Sequence, residues 1–270
     1  MILRKSLFLN GILTNSEAWY GLQINDIKHL EQIDETLLRK IFECPKTTPK
    51  CFLYLETGCT PIRYIIICRR LMFLQYILKE DTDSLISQFF YSQDSNPVKN
   101  YWALTCREDL NNLDIKLSFQ EIRCLSKNKF KNIVKKAISE KTFEYLKVEK
   151  VKLSKIQHIV YDKFGIQEYL LPNQTSTRMA KFIFHARSRM LDLKCNFKNR
   201  YRDFLCPTGC GSDDTQQHLI DCEKLSDSTL VSDLPEYDDL FSKDVKKILN
   251  FASILKARVS ARANYVSKNS

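Results

Sequence analysis

The stretch from Pro61 to Lys79 constrains this chain more than any other. Tyr64, Ile65, Ile66, Ile67, Leu71, Met72, Phe73, Leu74, Tyr76, Ile77 and Leu78 leave it almost no polar face. Proline at the first position and this density of apolar residues predict a helix from Pro61 to about Lys79. A helix that is apolar nearly all round has to be enclosed by other elements, so it belongs at the centre of a bundle. Arg63, Arg69 and Arg70 are its exceptions; the expected place of the Arg69–Arg70 pair is a solvated edge with the aliphatic stems laid along apolar surface, a phosphate contact being the less favoured alternative. The stretch is too short, and too interrupted at Arg69 and Arg70, to span a membrane.

The rest of the chain agrees with a mostly α fold. Six glycines and seven prolines in 270 residues are too few for a sandwich or barrel built on tight turns. The length allows one large domain or two. Residues 1–20 are apolar and are expected to form a strand or helix that has lost a preceding segment. No small-residue cleavage site follows the apolar start, so it does not read as a signal peptide. Asn25 is placed to cap a helix carrying Ile27, Leu30, Ile33, Leu37, Leu38 and Ile41, which Cys44-Pro45 ends. A shorter helix runs from Pro49 to Thr57 and closes at Gly58. Two more are expected over Ser84–Tyr91 and Pro97–Leu113.

Ser118, with Glu121 three residues on, has the capping-box pattern and opens a lysine-rich region. Between Glu121 and Lys155 ten lysines and one arginine stand against four glutamates. Phe130, Ile133, Val134, Ile138, Phe143 and Leu146 form an apolar stripe, so these lysines are expected on the solvated face of a helix that packs on its other side. Residues 156–177, with Gly165 and Pro172, read as a connector. Thr175 or Thr177 is expected to cap a helix from Arg178 to Leu193.

Beyond it lies Cys206-Pro207-Thr208-Gly209-Cys210, followed by His218 and Cys222. A spacing of four places His218 and Cys222 one turn apart on one helix face. Gly209 and Gly211 allow the backbone around Cys210 to fold back sharply. Three thiolates and an imidazole can then meet as a structural Zn²⁺ requires, although the three residues between Cys206 and Cys210 exceed the commoner two. Free thiols in a reducing compartment are the alternative; four ligand types within one short glycine-bearing window favour the metal. The other cysteines, Cys44, Cys51, Cys59, Cys68, Cys106, Cys124 and Cys195, have no regular pairing and read as small core or surface residues of a reduced, intracellular protein, nuclear or cytoplasmic.

The formal net charge is +10. Between Arg178 and Arg202 eight basic residues oppose only Asp192, and Phe184, His185, Phe197 and Tyr201 are interleaved with them. His185 by itself reads as an ordinary helix residue. Basic side chains attract phosphates and aromatic rings stack on unpaired bases, so Arg187, Arg189, Lys198, Arg200, Arg202, Phe197 and Tyr201 form the expected nucleic-acid surface, leading directly into the Cys/His window. After Cys222 the sign reverses: ten acids face two lysines between Ser212 and Asp244. Residues 223–244 read as an acidic linker and 245–270 as a C-terminal helix with a frayed tail.

Several phrases carry a family resemblance. They are Asn15-Ser16-Glu17-Ala18-Trp19-Tyr20, Thr48-Pro49-Lys50 with Leu53-Tyr54-Leu55-Glu56, and Pro61-Ile62-Arg63-Tyr64-Ile65-Ile66 with Arg69-Arg70-Leu71. Gln167-Glu168-Tyr169-Leu170-Leu171-Pro172-Asn173, Arg187-Ser188-Arg189-Met190-Leu191-Asp192 and the Cys/His window follow in the same order. Over nearly the whole chain they resemble the region after the polymerase domain in reverse transcriptases of non-LTR retrotransposons, the LINE-like or jockey-like elements. The resemblance implies a thumb-like helical bundle over residues 1–155, then a basic helix and zinc knuckle over 178–222 that helps to hold RNA or DNA. It also implies a polymerase domain upstream in a full-length element.

The catalytic parts of that family are missing here. Reverse transcription needs three carboxylates holding two Mg²⁺, two of them in a Tyr-x-Asp-Asp hairpin. Tyr237-Asp238-Asp239 lacks the intervening residue and the flanking apolar strands. No Asp…Glu-x-Lys nuclease core follows Cys222. The expectation is a non-catalytic fragment with structural Zn²⁺, RNA or DNA as partner, and neither a membrane nor a small-molecule substrate. A zinc-stabilised protein-interaction module and an inert transposon remnant are the alternatives.

Overall fold

The computed structural model describes residues 4–95, 101–197, 199–225 and 235–269. All regular structure among them is helical, apart from two isolated antiparallel bridges, Thr57 to Ile166 and Leu205 to Asp213. After a helical segment at Arg4–Leu9 the helices are α1 (Asn10–Ile12), α2 (Ile24–Phe42), α3 (Lys50–Thr57), α4 (Ile62–Lys79), α5 (Leu85–Ser95) and α6 (Trp102–Asn112). Then come α7 (Phe119–Cys124), α8 (Lys127–Val151), α9 (Thr177–Arg187), α10 (Gln216–Asp221) and α11 (Val245–Asn269). No single helix among the described residues is long and apolar enough to cross a membrane.

The chain divides into two compact units, each built from two separate segments: Met1–Leu38 with Cys59–Val148, and Arg39–Gly58 with Glu149–Ser270. The chain passes between them inside α2, at Gly58, and inside α8. This corrects the expectation of one region over 1–155, because α3 belongs with the C-terminal half. It also corrects the connector over 156–177, which contributes buried Ile159, Tyr161 and Tyr169 to the second unit.

In the first unit α4 is the central element the sequence requires. Its Leu71, Leu74, Ile77 and Leu78 pack with Phe90, Trp102, Cys106, Leu110, Ile122, Phe130, Val134 and Ile138 from α5, α6, α7 and α8. Its other end, Ile62 and Ile66, packs on Leu9 and Leu13. Of the arginine pair, Arg70 is not on a solvated edge, and Arg69, like Arg63, is half-buried. Arg70 is buried against Asp109 at 2.7 Å, Arg63 makes a two-toothed pair with Glu31, and Arg69 donates to the Leu13 carbonyl. The reason is geometric: where the helix is enclosed, as at Arg70, a cation lies inside and needs an acceptor. Ser118 and Glu121 form the full capping box, but it opens the short α7. The lysine helix α8 starts afresh at Lys127 after the extended Leu125.

In the second unit every residue of α3 from Cys51 to Thr57 is buried. Gly58 closes the helix with φ of 61°, and a Cβ there would come within 2.3 Å of the Ile166 nitrogen. Only glycine therefore lets the 165–167 segment lie against the end of α3, where the Gln167 amide donates to the Glu56 carbonyl at 2.9 Å. Phe184 of α9 stacks on Phe42 at 4.3 Å and meets the edge of Phe52 at 4.9 Å. α9 is capped by Ser176, between the two threonines expected, and stops at Arg187 rather than Leu193 because Arg189 takes a positive φ of 54°. Of the acidic linker expected over 223–244, residues 226–234 lie outside the described residues, and Tyr237–Phe241 is a packed helical turn with Leu240 fully buried. α11 continues to Asn269, so the frayed tail expected there is helix.

Candidate metal centre and its basic flank

The metal-ligand window folds as a tight loop followed by a short helix. Leu205 pairs with Asp213, the Cys206 amide donates to the Ser212 carbonyl at 2.7 Å, and the Asp214 amide donates to the Phe204 carbonyl at 2.6 Å. The chain reverses between these bonds through Gly209 and Gly211, at φ of 72° and 85°. Thr215 caps α10 by accepting from the His218 amide at 3.0 Å, which sets His218 in the first turn and Cys222 immediately past the last. The ligand atoms of Cys206, Cys210, His218 and Cys222 all lie within 4.8 Å of one another. Cys210 Sγ is 3.1 Å from His218 Nε2. Tetrahedral zinc with 2.3 Å bonds to sulfur separates its sulfurs by about 3.8 Å, so the set fits such an ion with small adjustments. The cluster could therefore hold a metal ion, with the four residues the spacing selects.

The electrostatics favour thiolate at the loop. The Ser212 backbone amide, with help from the Thr208 hydroxyl, lowers the Cys210 thiol to about 6, whereas burial pushes Cys206 up. Buried Thr208 places its hydroxyl 3.2 Å from Cys206 Sγ and 3.7 Å from Cys222 Sγ. The loop carbonyls are clamped from outside. Lys224 Nζ donates to Thr208 and Gly209 oxygens at 3.2 and 3.0 Å, and the Tyr265 hydroxyl to Thr208 at 3.3 Å. Asp214, fully buried, accepts from the Lys194 amide at 2.8 Å and from both arms of the Arg262 guanidinium. This second layer, with partners 15 to 57 residues away, gives no local signal in the sequence.

No protein-family model, no curated protein and no solved structure matches this chain.

The expected nucleic-acid residues separate into three groups. Arg187 is corrected outright: it is 2% exposed, donates to Glu56 at 3.0–3.2 Å through Nε and Nη2, and to the Leu240 carbonyl at 2.7 Å through Nη1. It has no surface to offer a phosphate. Its place is legible in retrospect, since it follows Phe184 by three and Ile183 by four on the apolar face of α9. Arg189 is half-buried and bonded to the Tyr237 side chain, so it too faces inward. Lys198 lies outside the described residues. Arg200 and Arg202 are exposed, Phe197 and Tyr201 half-buried. Asp192 gathers part of this flank, accepting from the Tyr201 hydroxyl at 3.0 Å and lying 3.3 Å from Arg200. Tyr237-Asp238-Asp239 sits in a helical turn, with Asp239 3.5 Å from Lys247 and Tyr237 edge-on to Phe251.

Proposed function

We propose that this chain is a non-catalytic, nucleic-acid-binding fragment of a non-LTR retrotransposon reverse transcriptase, held in shape by a structural zinc ion. The observation that carries the reading is the convergence of Cys206, Cys210, His218 and Cys222 within 4.8 Å. Four protein ligands leave no open coordination position, so the zinc would organise the fold rather than act on a substrate. When bound it supplies cross-linking of the 206–210 loop to α10. The basic flank that enters the loop, reduced to Arg200 and Arg202 with Tyr201 and Phe197 at its edge, then has a fixed orientation for phosphates and for a stacked base.

A protein-interaction module is the second reading. Leu85 and Phe89, one turn apart on α5 and both largely exposed, favour it. Salt dependence separates the two. Binding of a labelled RNA should weaken linearly in log–log form with salt, and replacing Arg200 and Arg202 with Gln should reduce that slope by about one to two. An RNA affinity that is absent at low salt, or indifferent to salt, contradicts the nucleic-acid reading.

A further inference from the structure

The first half of α8 carries charge that its own unit does not use. Phe130, Val134 and Ile138 face the core, while Lys127, Lys129, Lys131, Lys135 and Lys136 are all exposed. No acid occurs from Ile122 to Ser139. Lys136 approaches Glu140 only at 4.0 Å, and among the described residues the other four have no ion-pair partner. The second half differs. Lys141 pairs with Asp114 at 2.5 Å, and Lys150 is buried and donates to the Gln157 and Ile159 carbonyls. The unused lysines also stand at the end of the helix where the amide dipoles already present positive charge. There they oppose the helix, and acids would support it. A sequence selected only for a stable, soluble helix would place them at the other end.

We infer that this lysine face docks the phosphate backbone of a nucleic acid, in addition to the Arg200–Arg202 flank of the second unit. It rests on the reading above only for the class of partner. Ten residues of helix span about 13 Å, and one nucleic-acid strand presents a phosphate about every 3.4 Å, so about four lysines can each meet a phosphate. Exposed Asn128 and Asn132 lie among them and can donate to sugar–phosphate oxygens. The one aromatic ring within the stretch, Phe130, is fully buried, so the face offers charge without base stacking. Contact is then to backbone and indifferent to sequence. An anionic membrane fits less well. A helix lying in a lipid interface needs an apolar face to insert, and the apolar face of α8 is occupied by the core.

The test uses the full chain, a labelled single-stranded RNA of mixed sequence, and anisotropy between about 50 and 200 mM salt. Changing all five lysines to Gln should leave helicity and Tm at or above wild type, because Gln matches Lys in helix propensity and the repulsion at the helix start is removed. The salt slope should fall by about 3, at about 0.7 per phosphate contact on a single strand. A Lys→Arg version of the same five positions should keep the wild-type slope. An unchanged slope in a folded Gln variant overturns the proposal. If the Arg200→Gln/Arg202→Gln protein flattens the slope at the same time, the function proposed above survives without it. A wild-type chain that binds no RNA overturns both. Phosphatidylserine vesicle binding that the Gln variant loses, with RNA binding intact, assigns the face to lipid and overturns it too.

Discussion

Glu56 has no contact with water, yet it accepts from four donors: two arms of the Arg187 guanidinium and the hydroxyls of Tyr161 and Tyr169, at 2.6 and 2.5 Å. Burial raises both phenols well above their ordinary range, so they remain donors at any pH the fold survives. Changing Glu56 to Gln leaves Arg187 charged in the core without a counter-charge. That should cost about 3–5 kcal/mol in denaturant unfolding, and a loss under about 1 kcal/mol contradicts the network. Arg187→Gln would therefore report stability, not phosphate contact.

Asp109 provides a pH test of the first unit. Burial, opposed by Arg70, raises it to about 6, above its ordinary value of 3.8. The folded chain then holds this proton more tightly than the unfolded chain. Its contribution is greatest below pH 4 and declines as pH rises towards 6. Wild type measured against Asp109→Asn should lose relative stability between about pH 4 and 6, and a flat difference excludes the shift. The sequence shows that Arg70 and Arg187 stand on apolar helix faces. It does not show their partners, 39 and 131 residues away, and without a partner a surface role is the default.

At the scale of elements, helix existence was legible where composition was decisive. Pro61 and Pro49 at helix starts and Gly58 at a helix end each act within a turn and appear where the residues place them, whereas the Ser118–Glu121 box caps only the short α7 and Cys222 lies just past the end of α10 rather than on its face with His218. Ends set by tertiary demands were not legible. The stop of α9 depends on the left-handed Arg189, and the full length of α11 depends on its docking. α11 reaches the Cys/His loop through Arg262 on Asp214 and Tyr265 on Thr208. Two outcomes follow for that contact. Arg262→Leu, which strands a buried carboxylate, should lower stability by about 3–5 kcal/mol. Chelation of the proposed zinc should deprotect amides of α10 and of the last turns of α11 together in hydrogen exchange; α11 amides that stay protected would mean the helix docks independently of the loop.

The whole molecule is two compact units threaded by one chain, with Arg39–Gly58 returned to the C-terminal unit. Composition predicts helices and periodicity predicts their buried faces, but neither says which helix encloses which, so the 1–155 boundary could not be corrected from sequence. The convergence of the Cys/His set could be read because its information is local: all four residues lie within 206–222. The central claim is that this set binds zinc and shapes the chain around it. Elemental analysis of the purified full chain tests it directly. About one zinc per chain, lost in Cys222→Ser, is the result expected. A wild-type chain without zinc, or a Cys222→Ser chain that keeps it, would contradict the claim.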